Sequence, residues 1–264
     1  MDLQLNDRLA LVSGSTAGIG FAIANGLARE GARVIVNGRT DDRVKTAMER
    51  IRSHNAGAKL EGIAVDLGSA AGADEVVRRF PEVDVLVNNL GIFEPKPFEQ
   101  ISDPEWFRFF EVNVMSGVRL SRAYLPLMKK RNWGRIVFIS SESGIQIPAE
   151  MIHYGVTKTA QIALARGIAE TCAGTGVTCN AVLPGPTASE GVNDFVGSLA
   201  SQGGQTHEQV EKEFFEKTRP SSLIKRFATT DEIASLVTYI ASPLSSATNG
   251  AALRAEGGLL RSIL

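Results

Sequence analysis

A glycine-rich loop near the amino terminus constrains the fold of this chain most strongly. It joins a short apolar run at 9–12, which predicts a buried strand, to a helical pattern that starts at about 21 and ends near Gly31. Glycines let a ligand approach the backbone, and a helix N-terminus offers unpaired N–H groups, so this arrangement is typical of a pyrophosphate site. The glycines are spaced Gly-x3-Gly-x-Gly rather than as the commonest dinucleotide fingerprint, and a plain turn is the alternative.

Apolar runs and helical patterns alternate along most of the 264 residues. We predict strands at 9–12, 33–37, 60–65, 84–89, 134–139, 177–182 and 251–255. Helical patterns lie between them at about 42–53, 73–80, 103–130 and 151–172, with a last one from about 229. The alternation predicts a Rossmann-type, doubly wound, three-layer α/β/α sandwich with a seven-stranded parallel sheet. Because no linker or repeat interrupts the pattern, we expect residues 1–264 to form a single domain.

Composition and charge exclude several classes of function. A net charge of -1 gives no electrostatic reason to bind nucleic acid or an anionic membrane. No apolar run approaches the roughly 18 residues of a membrane span, and the first eight residues lack the apolar core of a signal peptide. Cys172 and Cys179 have no metal-site spacing, so we expect two reduced thiols, no metal and a cytoplasmic location.

Four polar residues form the candidate catalytic centre. Tyr154 and Lys158 are four residues apart on a predicted helix and can therefore meet on one face. A nearby cation favours the phenolate, so Lys158 should lower the tyrosine pKa from its reference value near 10 and suit Tyr154 to acid–base chemistry. Ser141 follows the fifth strand, and Asn113 lies among apolar residues of a long helix, where a buried amide needs partners. Taken alone, the Tyr-x3-Lys pair more often only packs a helix surface.

The end of the second predicted strand bears on cofactor choice. In a dinucleotide fold this end faces the adenosine ribose, where an acidic residue would select NAD. Here the chain carries Gly38 and Arg39, and a guanidinium suits a 2′-phosphate. NADP(H) is therefore favoured. A solvated loop arginine is the alternative, and Asp41 and Asp42 keep NAD(H) possible.

Residues 188–222 interrupt the alternation with scattered glycines and a strongly charged stretch, which predicts a lid on the substrate side. A disordered surface loop is the alternative. The rim of the substrate pocket is expected to contain Phe93, Glu142, Ser143, Ile145, Gln146 and His153. The apolar members, Ile147 among them, suggest an apolar substrate body, although core or capping roles would also explain them. His153 adjoins Tyr154 and so faces another side of its helix.

These motifs together resemble the short-chain dehydrogenase/reductase family along nearly the whole chain, and most closely its 3-oxoacyl-[acyl-carrier-protein] reductase-like branch. The resemblance rests on Gly14-x3-Gly18-Ile19-Gly20, Asp66-Leu67, Asn88-Asn89-x-Gly91, Asn113, Ser141, Tyr154, Lys158, Pro184-Gly185 and Gly257-Gly258. It implies that Tyr154 is the acid–base group and that Lys158 binds the nicotinamide ribose. It also implies that Ser141 bonds the substrate oxygen, while Asn113 holds a relay water.

The resemblance also implies which residues bind the cofactor. They are Gly14, Ser15, Thr16, Gly18, Ile19, Gly20, Arg39, Asp66, Leu67, Asn88, Gly91, Tyr154, Lys158, Pro184, Gly185, Thr187 and Ser189. The implied activity is reversible carbonyl reduction and alcohol oxidation with NADP(H) or NAD(H) on a small molecule, with 3-oxoacyl compounds as one candidate class. An NAD-linked sugar or alcohol dehydrogenase is a second hypothesis, and a non-catalytic dinucleotide sensor or scaffold is a third. By the same resemblance, the helices at 103–130 and 151–172 would pair in a homotetramer or homodimer.

Overall fold

A computed structural model of the chain describes residues 2–192, 197 and 205–263. Its centre is a seven-stranded sheet with the order β3-β2-β1-β4-β5-β6-β7, and every neighbouring pair is parallel. The strands are β1 Leu9–Val12, β2 Arg33–Gly38, β3 Lys59–Ala64, β4 Val85–Asn88, β5 Gly134–Ile139, β6 Val177–Pro184 and β7 Ala252–Ala255. The predicted parallel sheet is confirmed, and strand ends differ from the predicted ones by one or two residues.

Helices connect the strands. They are α1 Gly18–Arg29, α2 Asp41–His54, α3 Ala70–Arg79, α4 Asp103–Phe110, α5 Ser116–Lys130, α6 Ile152–Thr171, α7 His207–Glu213 and α8 Thr230–Ile240. The long helix predicted over 103–130 is interrupted by a π-helical turn, Glu111–Met115, which separates α4 from α5. A short 3₁₀ turn, Glu142–Gly144, follows β5 and leads toward α6.

Apolar side chains cover both faces of the sheet, as expected for parallel strands enclosed by helices. Along β2, Val34 and Val36 face one core while Ile35 faces the other. The first core is closed by α1, α2 and α8, and the second by α3, α5 and α6. Two apolar layers with the sheet between them give the predicted three-layer α/β/α sandwich.

The sheet reverses its winding between β1 and β4. The order runs outward from β1 to β3 on one side and from β4 to β7 on the other. In doubly wound sheets ligands bind in the crevice that opens at such a switch point, beyond the carboxyl ends of the strands. The loops that follow β1, β4, β5 and β6 meet at this edge, and they carry most of the residues of interest.

The predicted lid at 188–222 is described in part. Residues 205–222 contain α7 and a second π-helical turn, Phe214–Thr218, and Val210 of α7 packs against Val192 and Phe227. Residues 193–196 and 198–204 lie outside the described residues, so a lid in this segment stays a prediction. Both cysteines are buried free thiols. Among the described residues, every helix is too short or too polar to span a lipid bilayer.

Candidate active site

The loop after β1 is shaped to receive a phosphate group. Gly14 and Gly18 have φ angles of +62° and +55°, a region that side-chain-bearing residues rarely adopt. A Cβ at Gly20 would collide with Nδ2 of Asn89 and with the Gly14 carbonyl. The α1 helix starts without a side-chain cap, because Ala17 occupies that position. Free N–H groups over a glycine cradle fit a dinucleotide pyrophosphate.

Buried hydroxyl and amide groups hold this loop in place. The Ser15 hydroxyl donates to the Val12 carbonyl at 2.7 Å and accepts from the Asn37 N–H at 2.9 Å. The Gly14 N–H donates to Oδ1 of Asn37 at 3.0 Å. Since Ser15 is fully buried, its side chain braces the loop and does not face a ligand. Asn37 was not among the predicted site residues, because a polar residue inside an apolar strand gave no distinctive motif.

The end of β2 has no room for an acidic side chain at residue 38. A Cβ at Gly38 would lie 2.5 Å from Cγ2 of Thr16. The next residue, Arg39, is exposed and is therefore the first side chain available to a ligand here. Asp41 and Asp42 lie in the first turn of α2, where they favour the positive end of the helix dipole.

Three predicted cofactor residues lie at or just beyond the carboxyl ends of β3 and β4 but differ in orientation. Asp66 is exposed beyond β3 and accepts the Gly68 N–H at 2.9 Å. Leu67 is buried in the second core. Asn88 is also buried, and its amide donates to Ser121 at 3.1 Å, away from the crevice. Its neighbour Asn89 lines the crevice instead. A turn motif at a strand end could not show which of two adjacent amides faces inward.

The catalytic side chains converge where β5 ends and α6 begins. The Lys158 ammonium is buried and donates to the Ile139 carbonyl at 2.9 Å and to Oε1 of Gln161 at 3.2 Å. Its Nζ lies 5.5 Å from the centroid of the Tyr154 ring. Ser141 and Tyr154 line the same cavity as Lys158. The predicted Ser141, Tyr154 and Lys158 therefore lie together at one sheet edge.

Burial changes the acidity of both catalytic groups. It raises the pKa of Tyr154, and the negative charge of Glu142 raises it further, while the Ser141 hydroxyl acts in the opposite direction. Burial lowers the pKa of Lys158 to about 8, and Glu142 opposes that change. The expected net lowering of the Tyr154 pKa is therefore wrong for this structure, because burial and the Glu142 charge outweigh the effects that favour the phenolate. Tyr154 keeps its proton at neutral pH, which suits a proton donor.

A buried carboxylate lies directly beside the catalytic serine. Glu142 accepts the Ser141 hydroxyl through one oxygen and the Ser143 hydroxyl through the other, at 3.2 Å. The Arg219 guanidinium is 3.8 Å from Glu142 and 3.1 Å from Glu150. Arg219 was not predicted, because it comes from a distant and irregular part of the sequence. The contact gives Glu142 a counter-charge inside the cavity wall.

Asn113 is fully buried in the π-helical turn, and both polar atoms of its side chain have protein partners. Its Oδ1 accepts the Ile92 N–H at 2.7 Å, and its Nδ2 donates to the Ile92 carbonyl and to Thr157, both at 3.0 Å. Its backbone carbonyl accepts Nε2 of Gln161 at 2.5 Å. Asn113 thus ties the loop after β4 to α6. Gln161 and Thr157 were not predicted, because they look like ordinary helix residues.

The crevice continues into a cavity of about 670 Å³, a size typical of small-molecule sites. Among the predicted cofactor residues, those that line it are Ile19, Gly91, Tyr154, Lys158, Pro184, Gly185, Thr187 and Ser189. Among the predicted substrate residues, Phe93, Glu142 and Ser143 line it. Phe93 makes an edge contact with Tyr154 at 6.3 Å between ring centroids.

The other three predicted substrate residues lie elsewhere. Ile145 and Gln146 are exposed and do not line the described cavity. His153 is buried, with its ring 3.9 Å from that of Phe109 and 6.0 Å from that of Trp106. Burial lowers the His153 pKa. His153 therefore packs α6 against α4 and does not contact the site.

Comparison with known proteins gives the class of this protein. The family model described as short chain dehydrogenase matches residues 8–197. YvaG, an uncharacterized oxidoreductase of Bacillus subtilis (strain 168), is 51% identical over the full length of both chains. A D-beta-hydroxybutyrate dehydrogenase of Cupriavidus necator is 33% identical over 97% of this chain and 98% of its own. FabG, the 3-oxoacyl-[acyl-carrier-protein] reductase of Aquifex aeolicus, is 31% identical over 98% of this chain and 100% of its own.

The fold agrees with a solved relative. L-sorbose reductase from Gluconobacter frateurii, solved with NADPH and L-sorbose, superposes with a TM-score of 0.93 at 28% identity, with both chains covered completely. The chain belongs to the short-chain dehydrogenase/reductase family. It is an NAD(P)-dependent oxidoreductase that acts on alcohol and carbonyl groups.

Replacing the buried carboxylate should move the pH profile of the reaction. Glu142→Gln removes a negative charge. In the wild type this charge raises the pKa of Tyr154 and opposes the lowering of the Lys158 pKa. Tyr154 should then lose its proton, and Lys158 its charge, at lower pH. Ketone reduction should consequently decline at a pH about one unit lower than in the wild type. The pH dependence of the reduction rate measures this shift.

Glu170→Gln is the control for this substitution. Glu170 is exposed near the end of α6 and pairs with Arg166, away from the cavity lining. It should leave the profile in place. A Glu142→Gln profile identical to that of Glu170→Gln would contradict the electrostatic role of Glu142.

Proposed function

We propose that this protein uses NADPH to reduce a ketone to a secondary alcohol, with Tyr154 as proton donor, Ser141 as the group that bonds the substrate oxygen and Lys158 as the cation beside them. The observation that carries the proposal is the convergence of these side chains on a cavity that is also lined by Ile19 of the glycine-rich loop. When bound, the nicotinamide supplies the hydride to the carbonyl carbon.

The side chains support the remaining chemistry. Tyr154, protonated at neutral pH, can pass its proton to the oxygen that becomes negative as the hydride arrives. The phenolate that remains is stabilised by the Lys158 ammonium close to its ring. Asn113 does not face the substrate in this proposal. It keeps the loop after β4, with Ile92 and Phe93, next to α6.

The preference for NADP(H) rests on the end of β2. Gly38 excludes a side chain that could accept a bond from a ribose 2′-hydroxyl, and the exposed Arg39 offers a cation for a 2′-phosphate. The full-length similarity to a reductase that was solved with NADPH supports the same preference.

Two substrate classes are worth testing first. The relatives named for 3-oxoacyl and hydroxybutyrate substrates favour a 3-oxo compound, and the apolar cavity wall formed by Phe93, Met151 and Phe214 suits its carbon chain. The buried Glu142 and the partly buried Arg219 favour a second candidate, a hydroxylated ketone such as a ketose, because both can bond hydroxyl groups. L-sorbose reductase is the corresponding structural relative.

We also propose that the protein acts as a homotetramer or homodimer in the reducing cytoplasm. Phe107 and Phe110 on α4 are 72% and 37% exposed, which suits a surface that pairs with a second copy. The two buried thiols suit a reducing compartment. Mass measurement in solution tests the assembly.

Removing the phenol hydroxyl should separate binding from turnover. We expect the wild type to reduce at least one ketone with NADPH in a panel that includes acetoacetate, a 3-oxoacyl thioester and L-sorbose. Tyr154→Phe should lower turnover at least about 100-fold, because the proton donor is gone. NADPH should still bind nearly as well, because the glycine cradle is intact. Initial rates and NADPH fluorescence titrations measure the two quantities.

Tyr239→Phe is the matched control, since Tyr239 is half-exposed on α8 and does not line the cavity. It should retain wild-type turnover. Full turnover by Tyr154→Phe would exclude Tyr154 as the donor. A wild type that binds NADPH but neither reduces nor oxidises any member of a broad panel would instead favour a dinucleotide sensor.

Removing the Arg39 guanidinium should weaken NADPH binding selectively. A hydrogen bond between charged groups contributes roughly 1.5–3 kcal/mol, so Arg39→Ala should raise the Kd for NADPH about 10- to 150-fold and leave the Kd for NADH nearly unchanged. Arg52→Ala, about 16 Å further along α2 by helix geometry, is the control for general charge effects and should change neither value. The hypothesis fails if the wild type binds NADH more tightly than NADPH.

A further inference from the structure

The hydrogen-bond partners of Lys158 restrict how its ammonium group can turn. An ammonium has three N–H donors and no acceptor. The Ile139 carbonyl of β5 takes one of them at 2.9 Å, and Oε1 of Gln161 takes a second at 3.2 Å. One donor is then left for the cavity that Lys158 lines. Two fixed acceptors on two different elements thus hold the group in one orientation.

The other end of the Gln161 amide is fixed as well. Its Nε2 donates to the Asn113 carbonyl at 2.5 Å, and the side chain is 1% exposed. Asn113 belongs to the π-helical turn Glu111–Met115. Such turns shift the backbone hydrogen-bond pattern, so a carbonyl within them can accept a side-chain donor. Gln161 therefore connects Lys158 directly to the backbone of the neighbouring helix.

We propose that Gln161 is the positioning residue of Lys158, and that its amide makes the link between the Lys158 ammonium and Asn113 for which the family resemblance implies a water. In this arrangement Asn113 has a structural role and does not bind a water. Its side chain holds Ile92 and Thr157, and its carbonyl holds Gln161. The relevance of this link to turnover rests on the proposed function, whereas its effect on Lys158 does not.

The link has a chemical consequence because Lys158 is buried. Burial lowers its pKa to about 8, so its charge at neutral pH depends on groups that favour the ammonium. The ionisable groups that face it are Glu142, which raises its pKa, and Tyr154, whose ring lies beside it. The neutral acceptors are the Ile139 carbonyl and Gln161. A hydrogen bond to the charged form favours that form, so Gln161 helps to keep Lys158 protonated.

Two substitutions at Gln161 should move the Lys158 pKa in opposite directions. Gln161→Met has a similar volume but no acceptor, and should lower this pKa by about one unit. Gln161→Glu keeps an acceptor and adds a negative charge, and should raise it. The full-length protein labelled with ¹³C at the lysine Cε reports the titration by NMR, with the Lys158 signal assigned by its loss in Lys158→Arg. Gln146→Met is the matched control at an exposed glutamine outside the cavity and should leave the signal unchanged.

Turnover gives the second readout. With a ketone that the wild type reduces, Gln161→Met should lower kcat at neutral pH about tenfold and change the substrate KM less than twofold. Its activity should also decline at lower pH than in the wild type. A Lys158 signal that titrates at the same pH in the wild type, Gln161→Met and Gln161→Glu would overturn the proposal. If the wild type reduces no ketone, the proposed function fails, while the NMR titration still decides the role of Gln161.

Discussion

The buried ammonium of Lys158 is the interaction on which the rest of the site depends. A charge removed from water needs acceptors, and here they come from the last residue of β5 and from Gln161 on α6. Gln161 in turn bonds the π-helical turn between α4 and α5. One cation therefore fixes the relative positions of a strand and two helices. The same cation lies beside the tyrosine that would donate the proton.

A second constraint acts on the cofactor side of the crevice. The loop after β1 is held by Ser15 and Asn37, both buried, and its glycines have backbone conformations or close contacts that exclude larger residues. Because a Cβ at Gly38 would collide with Thr16, the first side chain that a ligand could meet in this region is that of Arg39. Packing inside the protein thus decides which side chain a cofactor would meet, before any ligand is bound.

Much of the fold could be predicted because its signals are local. Short apolar runs separated by helical patterns give a parallel sheet, and Gly14, Gly18 and Gly20 mark the loop by residue type alone. Ser141, Tyr154 and Lys158 were predictable because they follow, or lie on, elements whose ends must meet at one sheet edge.

The remaining features depend on packing between distant segments. Asn88 bonds Ser121 inside the core while Asn89 lines the crevice, and two adjacent residues of the same type do not show in sequence which of them faces inward. The π-helical turn at Asn113 interrupts a helix whose apolar pattern is continuous in sequence. Arg219 reaches Glu142 across 77 positions of the chain, and the raised pKa of Tyr154 follows from burial and from that carboxylate. None of these could be derived from spacing.

Hydride transfer from the nicotinamide to a ketone can be followed with deuterium. The wild-type protein is incubated with a ketone from the panel and with NADPH that carries deuterium at C4 of the nicotinamide. The label is on one face of the ring in a first incubation and on the other face in a second. Mass spectrometry then locates the label. We expect deuterium from one face to reach the carbinol carbon of the alcohol, and this transfer to be lost in Tyr154→Phe. An alcohol without deuterium from either face, or equal transfer by Tyr154→Phe, would contradict the proposed function.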